Sequence, residues 1–294
     1  MNPPTPPADA VAATARKAAE YKSGRKPVWC PGCGDYGVLS SIFSSLAAIQ
    51  LEPDNLVVVS GIGCSSRMPG FIRAYGFHGA HGRALPVAVG VKVARPDLDV
   101  LVVGGDGDGF SIGGGHIAHV ARRNLNLTYI IMDNEIYGLT KGQTSPTSRP
   151  GTVSKASPFG SVESPIQPLN LLLTYGASYV ARGYSSQPKE LTRMIERGIR
   201  HNGFSFIHVL SPCVTFNKVI GYDFFDSLVA PLPSDHKTDD LYGAMRLAGD
   251  PEKMYLGVYY EVDRPSYTDA VYEGGRRPIP EPPIDTERIL RRFS

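Results

Sequence analysis

Cysteine, tryptophan and uncompensated charge are all scarce in this chain of 294 residues. It has four cysteines and one tryptophan, and its 30 basic residues face 28 acidic ones. A net charge of +2 argues against the electrostatic footprint of a nucleic-acid-binding domain. The tyrosines and phenylalanines are not interleaved with basic residues in the manner that binds nucleic acid. With so few cysteines, disulfides are a poor default. No apolar run approaches the roughly 18 residues of a membrane span. The opening MNPPTPPADA has neither a basic n-region nor an apolar h-region, so a cytoplasmic protein is expected rather than a secreted one. Glycine (32) and proline (25) are plentiful, which means tight turns or backbone brought close to ligands.

Residues 1–25 are rich in Pro and Ala, then basic, and read as a tail or partner-binding arm, with order starting near Trp29. Apolar residues Val38, Ile42, Leu46 and Ile49 share one face of a helix, with Asp35 as its N-cap. Runs at 56–60, 100–104, 128–133 and 204–210, and a weaker one at 178–181, fit strands buried on both faces. Helices are expected at 84–94, 111–124, 166–175 and 187–201, the last with Pro188 in its first turn. The alternation predicts an α/β fold with a parallel sheet over residues 26–221. Residues 222–249 read as mixed helix and loop and the end of the chain as an extended arm. Together, 222–294 form a C-terminal extension expected to contact a partner.

Cys64, Asp106, Asn134 and Cys213 each follow a different expected strand. Open α/β sheets bind ligands at the carboxyl ends of their strands, so one crowded site is predicted there. Asp106 lies in GGDGDGFSIGGGH, and Asn134 follows it by 28 residues. Two oxygen donors at successive strand ends suit magnesium, which is commonly shared with substrate phosphates. The glycine run lets backbone N–H groups approach a diphosphate near a helix N-terminus. Cys30 and Cys33 form a CxxC loop, and Cys64 and Cys213 complete a set of four thiols. Such a set holds zinc or an iron–sulfur cluster. The HxxH pairs His78/His81 and His116/His119 are weaker metal candidates. His81 is expected to face the ligand, with His116 and His119 on a helix near it or in the core.

WCPGCGDYGVLSSI, GIGCSSRMPG, HGAHGRALPVAVGVK, GGDGDGFSIGGGH and DNEIYGLTKGQTSPTS together resemble the β subunits of 2-oxoacid:ferredoxin oxidoreductases, most nearly the 2-oxoglutarate type. The resemblance covers about residues 26–235. It implies a thiamine diphosphate-binding fold (the diphosphate-binding domain) with an N-terminal cluster-binding loop. It further implies thiamine diphosphate, Mg2+ and one [4Fe–4S] cluster. Carried over, Cys30, Cys33, Cys64 and Cys213 ligate the cluster, while Asp106, Asn134 and the Ile136 carbonyl hold magnesium. Gly105, Gly107, Asp108, Gly138 and Leu139 lie along the cofactor, and Ile62, Gly63, Ser65 and His81 wall it. Arg67 is expected to pair a 2-oxoacid carboxylate through two parallel hydrogen bonds. Lys141 is a second cation for a phosphate or carboxylate.

The activity implied is oxidative decarboxylation of 2-oxoglutarate with coenzyme A to succinyl-CoA and CO2. Electrons pass to ferredoxin, and the reverse reaction fixes CO2, as in the reductive tricarboxylic acid cycle. The carboxylic acid needed for cofactor activation is expected from an α subunit carrying the pyrimidine-binding domain, in an (αβ)2 assembly. Neither nucleic acid nor a membrane is expected as a partner. A pyruvate-type or broad-specificity enzyme is the alternative, and a non-redox thiamine diphosphate decarboxylase with structural zinc a more remote one.

Overall fold

The computed structural model describes residues 15–154, 156–272 and Arg291. The first half contains α1 (Asp35–Ala48), β1 (Leu56–Ser60), β2 (Tyr75–His78), α2 (Ala84–Ala94), β3 (Asp99–Gly105), α3 (Asp106–Phe110) and α4 (Gly114–Arg123). Next come β4 (Leu127–Asp133), the hairpin of β5 (Ile136–Tyr137) and β6 (Gln143–Thr144), α5 (Pro168–Thr174), β7 (Tyr179–Tyr184) and α6 (Pro188–Arg200). The chain continues through β8 (Phe204–Leu210), α7 (Tyr222–Leu228), β9 (Val229–Pro231), α8 (Leu241–Ala248), β10 (Met254–Glu261) and α9 (Tyr267–Tyr272).

Eight strands make one sheet in the order β2-β1-β3-β4-β8-β7-β10-β9. The six from β2 to β7 run parallel, and β10 pairs antiparallel with β7. Every residue of β1, β4, β7 and β8 is buried, because helices cover both faces. Alternate side chains feed two cores. Val57, Val59, Val102, Ile131 and Phe206 pack on one face with Leu85, Ile117 and Leu172 from α2, α4 and α5. Val58, Leu101, Val103, Ile130 and Ile207 pack on the other with α1 and α6. Leu191, Met194, Ile195 and Gly198 form the buried stripe of α6, and Pro188 opens it.

The structure corrects several expectations. Asp35 is the first residue of α1, not its cap; Gly34 caps it. A Cβ on Gly34 would come within 2.8 Å of the Ser185 and Ser211 hydroxyls, so the cap position has no room for a side chain. Asp35 is buried instead and accepts a hydrogen bond from Ser211 Oγ at 2.9 Å, tying α1 to the end of β8. The helix expected at 111–124 begins only at Gly114. Gly113 packs so tightly that a Cβ there would stand 2.5 Å from the Asp108 carbonyl oxygen.

Order begins well before Trp29. Tyr21 is fully buried, and its hydroxyl donates to the Leu51 carbonyl at 2.8 Å. β2 and β10 were not expected as strands. Residues 222–249 hold helices α7 and α8, as expected, and also the short strand β9; β10, in the stretch expected as an extended arm, joins the main sheet with it. Residues 1–14 of the expected tail, and 273–294 of the extension apart from Arg291, lie outside the described residues. No helix among the described residues is long and apolar enough to cross a membrane.

Candidate active site

The carboxyl ends of β1, β3 and β4 open into a cavity of about 360 Å³. Ile62, Gly63, Cys64, Ser65, His81, Gly105, Asp106, Gly107, Asp108, Asn134, Ile136, Gly138 and Leu139, which the resemblance places around the cofactor, all line this one cavity. Tyr137, Thr140 and Gln143 line it too and were missed. Arg67 and Lys141 are exposed and do not line it. Arg67 lies in the short helical segment Ser65–Gly70 that follows Cys64.

Asp108 organises the wall. Its Oδ1 accepts from the Ile62 and Gly82 amides, each at 2.8 Å, and meets His81 Nδ1 at 3.0 Å. Two loops, one carrying Ile62 and the other His81 and Gly82, are thereby held by one oxygen. Its Oδ2 is buried and has no hydrogen-bond partner, a condition that calls for a ligand or ordered water. Gly61 must be glycine, since a Cβ would stand 2.1 Å from that oxygen. At Gly107 a Cβ would meet the Tyr137 ring at 2.3 Å, so the backbone there lies flat against the aromatic wall.

Asp106 and Asp133 lie on either side of Thr147, whose Oγ1 is 2.9 Å from Asp106 Oδ2 and 2.8 Å from Asp133 Oδ1. Burial, and then the Asp133 charge, push the Asp106 carboxyl well above the ordinary range. Hydrogen bonds from Ser145, Thr147 and the Asn134 backbone offset this only in part. The site therefore favours a positive charge beside Asp106. Asp133 goes the other way. Burial opposes its charge, but hydrogen bonds led by His208 hold it below the usual carboxylate value. His208 Nε2 lies 2.9 Å from Asp133 Oδ2, and Arg182 Nε donates to His208 Nδ1 at 3.3 Å. An Nδ1 that accepts requires the neutral imidazole with its proton on Nε2, and burial indeed lowers the proton affinity of His208. This buried chain of Arg182, His208 and Asp133 crosses β7, β8 and β4 and was missed. A lone histidine within the apolar run FSFIHVL was its only trace in the sequence.

Asn134 Oδ1 accepts from the Ile136 amide at 3.0 Å, and its carbonyl receives Asn217 Nδ2 at 2.9 Å. Glu135, between them, has φ of 57°. This tight turn brings Asn134 and Ile136 to the cavity beside Asp106. Oxygen donors of this kind suit a hard cation.

The four cysteines gather beside the cavity. Cys30 is exposed; Cys33, Cys64 and Cys213 are half-buried, and all are free thiols. The Gly34 amide donates to the Pro212 carbonyl at 3.2 Å, joining the CxxC loop to the Cys213 loop. Trp29 Nε1 donates to the Cys64 carbonyl at 2.7 Å. A Cβ at Gly138 would stand 3.5 Å from Cys213 Sγ and 3.8 Å from Cys64 Sγ. Burial, then Asp35, raises the Cys33 thiol strongly, and Cys213 and Cys64 add to it. Burial likewise pushes Cys64 up to about 11, with Asp35, Cys213 and Cys30 contributing and Arg67 opposing. The four thiols are thus within electrostatic reach of one another. No three His, Cys, Asp or Glu side chains among the described residues converge closely enough for a single metal ion. Of the HxxH histidines, His78 meets Ser60 Oγ at 3.0 Å and His116 meets Arg83 Nη1 at 3.2 Å, while His119 is exposed rather than in the core.

A parallel sheet with a glycine-lined, carboxylate-bearing cleft at its carboxyl edge is suited to binding a phosphate-bearing ligand. Residues 61–209 match the family model for the C-terminal TPP binding domain of thiamine pyrophosphate enzymes. Residues 213–273 match the model for the C-terminal part of the pyruvate ferredoxin oxidoreductase beta subunit. The chain is 42% identical over 215 residues to a 2-oxoacid:ferredoxin oxidoreductase subunit beta of Aeropyrum pernix, covering 73% of this chain and 70% of that one. It is 38% identical over 251 residues to the 2-oxoglutarate synthase subunit KorB of Methanothermobacter marburgensis, covering 83% and 86%. A solved structure of 2-oxoglutarate:ferredoxin oxidoreductase from Magnetococcus marinus, with 2-oxoglutarate, coenzyme A and succinyl-CoA bound, is similar over 95% of this chain and 96% of that one. Its TM-score is 0.88 and its sequence identity 45%. The chain belongs to the family of 2-oxoacid:ferredoxin oxidoreductase β subunits.

Proposed function

We propose that this chain is the β subunit of a 2-oxoglutarate:ferredoxin oxidoreductase and carries thiamine diphosphate, Mg2+ and one [4Fe–4S] cluster. The supporting observation is a juxtaposition. Cys64 lines the cavity formed by the glycine and Asp/Asn motifs, and Gly138, also in its lining, sets its backbone against the sulfurs of Cys64 and Cys213. The overall reaction joins a 2-oxoacid and coenzyme A and reduces two one-electron carriers, releasing acyl-CoA, CO2 and a proton. Thiamine diphosphate, when bound, supplies a carbanion and electron sink for decarboxylation.

The chain's own residues bind and orient. Asp106, Asn134 and the Ile136 carbonyl hold magnesium, whose charge answers the buried, cation-seeking carboxyl of Asp106. Gly105 and Gly107 keep the backbone close to the diphosphate. Asp108 fixes the Ile62 loop and the His81–Gly82 loop around it. Asp133 stays charged behind Asp106 and is itself held by His208. Cys30, Cys33, Cys64 and Cys213 ligate the cluster; one local CxxC pair completed by two thiols from separate strand ends fits a cluster better than zinc, which usually takes two local knuckles. Arg67, beside Cys64, pairs the substrate carboxylate, and Lys141 is held for a phosphate or carboxylate.

The described residues form one eight-stranded sheet and a hairpin, with no second α/β unit among them. In this reading the activating carboxylic acid comes from an α subunit carrying the pyrimidine-binding domain, in an (αβ)2 assembly in the cytoplasm; the relatives' naming as β subunits supports such a partner. Residues 26–221 form the cofactor and cluster unit, and the segment from 222 onward contacts the partner.

The test is an assay of the chain reconstituted with its α subunit. Brown colour with broad visible absorbance, and faster turnover of 2-oxoglutarate than of pyruvate with coenzyme A and ferredoxin, are expected. Preference for pyruvate would move the assignment to the pyruvate type, and a colourless active enzyme would move it to the zinc decarboxylase. Cys213→Ser should lose most iron and sulfide while still retaining thiamine diphosphate.

A further inference from the structure

A second groove, of about 420 Å³, opens where residues 22–27 pass over α1. Lys22, Arg25 and Lys26 line it with Tyr36, Leu39 and Phe43, and all three cations are exposed. None of the three is in an ion pair among the described residues. The result is an apolar floor rimmed by uncompensated positive charge, in a chain whose total charge is only +2.

The groove adjoins the cysteines. Lys26 is four residues from Cys30, which is the exposed member of the set. Tyr36 packs edge-on against Trp29 at 5.3 Å and donates from its hydroxyl to the Trp29 carbonyl at 3.1 Å. Trp29 in turn donates to the Cys64 carbonyl. One wall of the groove is therefore also the outer wall of the cysteine loops.

We propose that this groove is the docking surface for a small acidic one-electron carrier protein. Carboxylates around the carrier's redox centre would meet Lys22, Arg25 and Lys26, and its apolar contact patch would meet the floor. This rests on the reading that the four cysteines hold a cluster. Each docking event moves one electron from the reduced cluster to the oxidised carrier, so two carriers dock per 2-oxoacid oxidised. Opposite charges across such a surface mainly raise the association rate, by about 10- to 1000-fold, and make it sensitive to salt.

The experiment uses the complete enzyme with its α subunit. The charge-reversed variant Lys22→Glu/Arg25→Glu/Lys26→Glu and the neutral variant Lys22→Gln/Arg25→Gln/Lys26→Gln are compared with the unaltered enzyme. Each is assayed with a ferredoxin and with a small viologen dye as acceptor, and iron content and subunit association are measured. For charge reversal we expect KM for ferredoxin to rise at least about 10-fold, with its salt dependence flattened. The neutral variant should fall between the two. Viologen rate, iron content and association should not move. An unchanged ferredoxin KM overturns the proposal, as does release of the α subunit, which would make the groove a subunit interface. Iron-free unaltered enzyme overturns the cluster assignment itself, and docking with it.

Discussion

Asn124 and Asp108 sit at opposite edges of the same sheet, and their hydrogen bonding differs. Asn124 stands at the amino edge, between α4 and β4, with φ of 51°. Its Oδ1 accepts from Ser178 Oγ at 2.6 Å and the Phe204 amide at 3.0 Å. Its Nδ2 donates to the Arg264 and Pro265 carbonyls, each at 3.2 Å. Every polar position is used, and the residue locks the starts of β7 and β8 to the chain beyond β10. Asp108, at the carboxyl edge, gathers its donors on one oxygen and leaves the other buried and bare. Ser66 Oγ and Ser185 Oγ, also near that edge, lack partners as well. Closing every polar group stabilises a fold, whereas leaving some open marks where something else must bind.

The sharpest way to test that contrast is at Asp106. Asp106→Ala should abolish thiamine diphosphate retention, a larger loss than the roughly 10- to 100-fold that a supporting residue costs. Melting temperature should shift by only a few degrees, because a buried, charge-averse carboxyl is removed. Normal cofactor occupancy in the purified variant would break the contrast from the ligand side.

Its mirror image is Asn124→Ala. That change strands the Phe204 amide and two carbonyls and places alanine in the left-handed region. Stability should fall by about 3 kcal/mol, read from chemical denaturation, while cofactor affinity of the folded protein holds. A loss of affinity without loss of stability would erase the distinction between the edges.

A smaller effect is expected at Arg67, which lies on the ligand-facing edge but outside the cavity. Arg67→Ala should lower kcat/KM by about 10-fold for 2-oxoglutarate and pyruvate alike, because both possess the carboxylate that leaves. Selective loss of 2-oxoglutarate would assign Arg67 to the distal carboxylate instead. Unchanged kinetics for both would return it to the surface.

The smallest effect belongs to Lys92, a buried charge near the amino edge. Its Nζ donates to the Pro96 and Leu98 carbonyls at 3.1 and 2.7 Å. Burial lowers its proton affinity, with nearby aspartates opposing. Between the lowered value and the ordinary lysine value near 10.4, the unfolded chain holds more protons than the folded one. Stability from this group therefore rises with pH across that alkaline window. Lys92→Met should flatten the rise in thermal-shift profiles, and an identical profile would show that carbonyl pairing had fully offset burial.

The sheet's centre was legible because β1, β3, β4 and β8 are short runs dominated by β-branched, aliphatic and aromatic residues. Its edges were not. YGFH of β2 is wholly exposed, so no burial pattern marks it. MYLGVYYE of β10 is only half-buried, and its pairing with β7 shifts register between Val258 and Tyr260, just after Gly257 at φ of 142°. Such strands are fixed by their neighbours rather than by their own composition. At the site, motif glycines and carboxylates were legible because each type is demanded by backbone approach or charge. Tyr137, Thr140 and Gln143 were not, since the β5–β6 hairpin that presents them carries no periodic signal. Thr147 and Ser145 join Asp106 across some forty residues, a separation that no local pattern encodes.

Gly138 lines the cavity, and a Cβ at its position would stand 3.5 Å from Cys213 Sγ and 3.8 Å from Cys64 Sγ. Cys64 lines the same cavity. Under the proposed assignment, bare backbone at this point leaves the carbon chemistry and the sulfurs as near neighbours. Current can then leave the reaction over a short gap, with no relay of side chains to carry it.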